Sequence, residues 1–318
     1  MTTLKEIYQF AVAEGMKEDP RGEKELKKKL SDIKEKFEKL DKGEKELFDK
    51  DRFWNPFDDS RIAFDAGGQV KTIMVGIDAE AQEVLLADRL KERGTKIDAV
   101  IAHHPEGRAL AGLYGVMDMQ IDGLIKSGVP VAHAQNFTHD RIGDVNRWFS
   151  GANHTRAEDT AKLLGISLAC FHTITDNHAH TFLEKLFEKE KPHTVKDIYN
   201  LLLKFPEYKW AIQKDAGLKL FSGSMENLAG KIHLEMTGGT EGSDKVYEKL
   251  ANAGVGTIVA MHMGDKQFEE AKKNNLNVFI AGHMASDSLG MNLLMDKMEK
   301  KFGLKIIECS GFKRVRRH

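Results

Sequence analysis

Residues 101–107 read IAHHPEG, two adjacent histidines between an apolar run and a proline. Imidazole carries protons near neutral pH and is a common ligand for Zn, Fe, Ni, Co and Mn. The pair has company: His133, His172, His262 and His283 also follow short apolar runs directly. In parallel α/β sheets ligands bind beyond the carboxyl ends of the strands. Histidines at several strand ends can therefore converge on one ion or one substrate, with carboxylates completing the set. GHMASD offers His283 and Asp287 four residues apart, close enough on one helical turn to reach a common ion. Asp65 in FDAGG and Asp78 closing VGID stand near further strand ends, as groups that orient ligand histidines or as plain loop and cap residues. CFHTITDNHAHTF (170–182) adds His172, Asp176, Asn177, His178 and His180. These suit substrate contact or support of a ligand, and Asp176 could instead cap the helix that follows.

The elements that must position these residues alternate in type. Apolar runs predict strands at 71–77, 97–102, 129–132, 166–171, 231–236, 256–261, 277–282 and 304–309. Helix-length segments lie between most of them, at 80–93, 118–127, 244–253, 266–274 and 287–301. Such alternation predicts an α/β protein of two similar lobes, with mixed, largely parallel sheets flanked by helices. Two stretches echo one another: a strand ending in His, a helix, then a second strand ending in His, read at 103/133 and again at 262/283. The glycines of MTGGTEGSDK (236–245) suit a tight turn as well as an anion loop, and the spacing is not that of a phosphate-binding Walker motif.

Residues 1–55 differ from the rest. They are dense in Lys and Glu, and Leu26, Leu30, Ile33, Phe37 and Leu40 form a heptad-like stripe behind a shorter one at Leu4, Ile7, Tyr8, Ala11 and Val12. An N-terminal helical hairpin packed on its own body is expected. The predicted organisation is thus 1–55 helical, 56–184 a first lobe, 185–230 an insert, and 231–318 a second lobe. A net charge of -1, from 48 basic and 49 acidic residues, argues against strong binding of nucleic acid or an anionic membrane. KRVRRH at the end is a local exception, read as a solvated tail. Two cysteines, Cys170 and Cys309, support neither a disulfide framework nor a cysteine zinc site. With no apolar leader and no run of about eighteen apolar residues, the cytoplasm is the expected compartment.

The run FDAGGQVKTIMVGIDAEAQEVLLADRLKERGTKIDAVIAHHPEG resembles the N-terminal lobe of the NIF-three-like family (NGG-one-interacting factor three), whose members are often labelled type 2 GTP cyclohydrolase I. The similarity resumes in VAHAQNFTHDRIGDVN and in the C-terminal stretch from GGTEGSDK to GHMASDSLGMN, covering about 60–180 and 230–312. The resemblance implies a two-lobed α/β fold, a dinuclear metal site between the lobes, and a toroidal homohexamer. By position it implies ligands at His103, His104, His283 and Asp287, the last standing where the family usually has Glu. The family's middle motif, similar to A-H-T-x-x-D, supplies another acid. Placed at His133, that acid falls on Phe137, which cannot ligate; His139, His133 or Asp140 would substitute, with His139 ranked first. The implied cofactors are divalent ions, two of them, drawn from Zn, Fe, Mn, Co and Ni. The implied activity is that of a metal-dependent hydrolase acting on a nucleotide or another cyclic or phosphorylated small molecule; because imidazole titrates near working pH, His172, His178 or His262 is the expected catalytic proton carrier. The alternative is a non-catalytic, metal-binding oligomeric scaffold or regulator.

Overall fold

A computed structural model describes residues 1–317; His318, the end of the basic tail, lies outside the described residues. Three helices open the chain: α1 (Leu4–Lys17), α2 (Glu23–Glu38) and α3 (Lys42–Leu47). Then follow β1 (Ser60–Phe64), β2 (Thr72–Gly76), α4 (Ala81–Glu92), β3 (Ala99–Ala102), α5 (Arg108–Ala111), α6 (Met119–Lys126), α7 (Val131–Ser150), α8 (Arg156–Leu164), β4 (Ser167–Phe171) and the long α9 (His172–Glu190). The remainder comprises α10 (Val195–Leu202), α11 (Pro206–Gln213), β5 (Lys219–Ser222), β6 (Lys231–Glu235), α12 (Val246–Asn252), β7 (Val255–Ala260), α13 (Asp265–Lys273), β8 (Asn277–Ile280), α14 (His283–Phe302) and β9 (Lys305–Glu308).

Two sheets result, ordered β1-β4-β3-β2-β9 and β5-β8-β7-β6. In each, the first strand runs antiparallel to its neighbour and the rest are parallel. The two halves therefore match strand for strand, β1 to β5, β2 to β6, β3 to β7 and β4 to β8. This is the two-lobed α/β arrangement expected from the alternation. β9 crosses back from the second half to extend the first sheet, and β5, within the stretch read as an insert, edges the second. β1 and β5 went unread because neither is a continuous apolar run: SRIAF and KLFS carry charged or polar residues.

The strand expected at 129–132 does not form. Val131 opens α7 instead, and its buried residues Ala134, Thr138 and Val145 recur at helical spacing. The place beside β3 is taken by β4, so a strand at 129–132 would have no partner. The echo of β8 is thus β4, and the echo of His283 is His172.

The N-terminal stripe packs on its own body. Leu4, Ile7, Tyr8, Ala11 and Val12 are buried with Phe171 and Ile174 and with Met291, Leu294 and Met298 of α14. α2 is looser: of its stripe only Leu26 is buried, while Phe37 meets Phe48 and Phe53 with ring centroids 4.9 Å apart. The basic tail is docked on the body rather than free, although Arg316 stays exposed. Arg314 pairs with Asp296 and Glu299, Arg316 with Glu299 at 3.0 Å, and Arg317 with the fully buried Glu207 at 2.7 Å. These acids lie on α14 and α11, where a cation removes the cost of a buried carboxylate.

α9 and α14 pack against one another between the two lobes, and Gly290 sets their separation. A Cβ there would fall inside contact distance of the Thr175 carbonyl oxygen. α9 begins on His172 directly behind β4, and α14 begins on His283 after only Ala281 and Gly282 behind β8, which brings the N-terminal turns of both to one place.

Candidate metal centre

His103 and His104 follow β3, His172 opens α9, and His283 opens α14. One turn into each helix, on the same face, stand Asp176 and Asp287. Ligand atoms of His103, His104 and His172, of His104, His283 and Asp287, and of His103, Asp176 and Asp287 form three overlapping groups, each within 4.8 Å. His103 Nε2 is 3.4 Å from both Asp176 Oδ1 and Asp287 Oδ1, and the Nε2 atoms of His104 and His283 are 3.4 Å apart.

Three of the rings are oriented from behind. His104 Nδ1 meets Asp78 Oδ1 at 2.7 Å, and His172 Nδ1 meets Asp59 Oδ2 at 2.8 Å. His103 Nδ1 meets Thr175 Oγ1 at 2.8 Å; that hydroxyl donates to the Phe171 carbonyl, so it accepts from the ring. With Nδ1 protonated, a neutral ring in these positions turns its Nε2 lone pair into the cluster, the tautomer and aim a metal-ligating histidine needs.

The inner atoms have no such partners. Among the described residues, His103 Nε2, Asp176 Oδ1 and both carboxylate oxygens of Asp287 are buried without a hydrogen bond. Buried polar atoms are normally satisfied. Unpaired imidazole and carboxylate atoms facing a common point form a donor set that fits a divalent cation.

The electrostatics divide the cluster. Burial lowers His103 to about 4 and His283 to about 4, which keeps both in the neutral form that ligates. His172 is driven the other way: against its burial, Asp176 and Asp59 lift it to about 9. Burial raises Asp176, whereas Asp287, though buried, is held down by the histidines around it. A cation would displace protons from this cluster.

Comparison with known proteins gives the fold. No protein-family model matches the sequence, and no curated protein matches it. Among solved structures, the NIF3 superfamily protein from Sphaerobacter thermophilus superposes with a TM-score of 0.70 at 25% identity, covering 80% of this chain and 92% of that one. This chain has a NIF3-like fold. Reduced HcgD from Methanocaldococcus jannaschii (TM-score 0.47, 15% identity, 88% of this chain and 97% of that one) and the Bacillus cereus protein related to NIF3 (TM-score 0.39, 12% identity, 78% and 88%) are more distant.

In this NIF3-like chain the geometry relocates the middle motif. The segment HTITD at 172–176 has the form H-T-x-x-D, and its acid, Asp176, is in the cluster. Asp176 lies inside α9 rather than at its cap, which is Phe171. No acid is missing at Phe137, which packs beside Leu124 and Tyr247. His133, His139 and Asp140 are exposed on α7; His139 has Asp118 as its neighbour at 3.8 Å and Asp140 has Lys245 at 3.4 Å. The structure does not bring His139 to the cluster.

The three expected proton carriers separate. His172 is within the cluster. His262 borders it, its ring centroid 4.5 Å from that of His283 and its Nδ1 2.8 Å from Glu241 Oε1, the strongest of the influences that raise its pKa. His178 is elsewhere. It is buried with Nδ1 on the Ile174 carbonyl and Nε2 on Lys297, which also binds Glu14 and Glu18 of the N-terminal region. Asp65 is exposed and accepts from the Gly67 amide in a turn, apart from the site. Asp59 and Thr175 were not anticipated; only the tertiary fold brings Asp59 to His172. The recurring H-x-x-x-D at 172 and 283 was the available signal for Asp176.

The cluster opens into a cavity of about 530 Å³, bordered by α6, α9, β6 and the loop behind β6. Met119, Leu124, Phe187 and Met236 give it apolar wall, and His180, His233 and Glu235 give it polar wall.

Proposed function

We propose that this protein is a metal-dependent hydrolase with a dinuclear centre between its lobes, acting on a polar small molecule admitted through the cavity. The observation that carries the reading is the set of buried, unpartnered ligand atoms on His103, Asp176 and Asp287 at the inner end of that cavity. His103, His104, Asp176, His283 and Asp287 would hold the ions, and His172 is placed to join them. Divalent ions bound there would supply Lewis-acid polarisation and a water of lowered pKa. The chain's own part is positional and protonic. Asp78 and Asp59 fix His104 and His172, and Met119, Leu124, Phe187 and Met236 line the approach to the cluster. His262, held by Glu241 beside the cluster, accepts a proton at Nε2 and returns it to a leaving group.

The same reading takes the protein as a homo-oligomer, ring-shaped as the resemblance implies, and as cytoplasmic; light scattering on the purified chain measures the first. The test of function is metal analysis joined to a substrate panel of nucleotides, phosphoesters and amides. Turnover abolished by His103→Ala and retained in His139→Ala supports the hydrolase. Stoichiometric metal without turnover on any substrate assigns a metal-binding scaffold instead. Absence of metal under every loading condition rejects both.

A further inference from the structure

The cavity runs from the metal cluster along β6, and every residue from 230 to 237 lines it. Successive strand residues point to opposite faces, so a cavity against one face would meet alternate residues only. Contact with consecutive residues means that it follows the strand's open edge. β6 is an edge strand, paired with β7 alone. Among the described residues, no hydrogen bond from outside the sheet reaches the main chain of 231–234. In a parallel ladder alternate residues turn their N–H and C=O away from the partner, so this edge presents free donors and acceptors to the cavity.

The two ends of the edge differ in chemistry. β6 is parallel to β7, whose end leads to His262, so the metal cluster lies beyond the end of β6 and Lys231 lies at the far end. Lys126, Lys191 and Lys231 line the cavity there beside Glu184 and Glu188, and Lys126 is paired with Glu184 at 2.7 Å, which leaves Lys191 and Lys231 as the cations open to a ligand. Lys231 Nζ donates to the Ser127 carbonyl at 2.8 Å and keeps further donors. The facing wall is α9, where His180 stands one turn beyond Asp176 with its Nδ1 buried and unpartnered.

We propose that this edge binds a short extended peptide, antiparallel to β6, with its C-terminal carboxylate at Lys191 and Lys231 and an amide carbonyl at the metal cluster. The proposal rests on the hydrolase reading and names its substrate class. At about 3.3 Å per residue, the edge accommodates a peptide of roughly four residues, and the cavity volume is in the range of small-ligand sites. Strand addition supplies main-chain hydrogen bonds for affinity and leaves specificity to pockets for alternate side chains. In the reaction, water oxygen bonds to the amide carbon, the C–N bond breaks, and a proton from the water passes to the leaving nitrogen, giving a carboxylic acid and an amine.

The test is calorimetric titration of tetra-alanine into the full-length protein as purified, with its metal content measured. Binding is expected, weakened about tenfold by Lys231→Ala or by amidation of the peptide's C-terminus. N-methylation of one inner peptide nitrogen is expected to weaken it about tenfold and methylation of the next to leave it unchanged, because only alternate amides face β6. No binding, binding indifferent to methyl position and to Lys231, or a nucleotide occupying the cavity where tetra-alanine does not, overturns the proposal. Metal retained without peptide binding overturns the peptide assignment alone. Peptide binding with no metal under any loading overturns the hydrolase reading and leaves the edge site standing.

Discussion

The Nδ1 atoms of His103, His104 and His172 rest on three different oxygens, from Thr175, Asp78 and Asp59. Asp59 has a second hold, accepting from Thr173 Oγ1 at 2.6 Å. Asp59→Asn is expected to leave the fold intact while weakening metal affinity about 10- to 100-fold, read by chelator competition. An unchanged affinity would remove His172 from the ligand set. At this scale the sequence pointed to the converging histidines where they follow strands, and misled at His178 and at His133. VPVA before His133 is apolar enough for a strand, yet it begins a helix because β4 already lies beside β3. HTITD was in plain view, but its aspartate also suited a helix cap. Only the position of α9 inside the cleft separates those roles.

Between elements, two contacts invite measurement. Gly290 lets α14 approach the Thr175 carbonyl of α9, and both helices carry candidate ligands. Gly290→Ala is expected to destabilise by about 1–3 kcal/mol through forced separation of the helices and to lower metal affinity along with the denaturation midpoint. Loss of stability with full metal affinity would show that the spacing does not set the site. In the tail, Arg317→Ala strands the fully buried Glu207 and is expected to cost about 3 kcal/mol, whereas the exposed Arg316→Ala is expected to cost under about 1 kcal/mol. Urea melts of the two variants check the contrast. The tail's role was hidden in the sequence because its acids lie far upstream, on α11 and α14. Most parallel strands were legible as apolar runs. The antiparallel β1 and β5 were not, since their partly exposed faces break the run.

At the scale of the whole molecule, the cluster joins what the chain builds twice. His103, His104 and Asp176 come from one lobe, His283 and Asp287 from the other. A cation held between them binds the folded chain and not the unfolded one. Saturation at about a hundred times Kd is therefore expected to add about 2.7 kcal/mol of stability, seen as a rise in melting temperature that chelation reverses. The duplicated architecture was readable from strand–helix alternation. The crossing of β9 into the first sheet was not, because nothing in LKIIEC marks its partner. The most direct measurement is metal bound per chain, after identical loading, for the wild type, Asp176→Asn and His139→Ala. The expected result is metal in the wild type and in His139→Ala, and little or none in Asp176→Asn, with all three folded by circular dichroism. Metal lost with His139 and retained without Asp176, or absent from the wild type, would contradict the site.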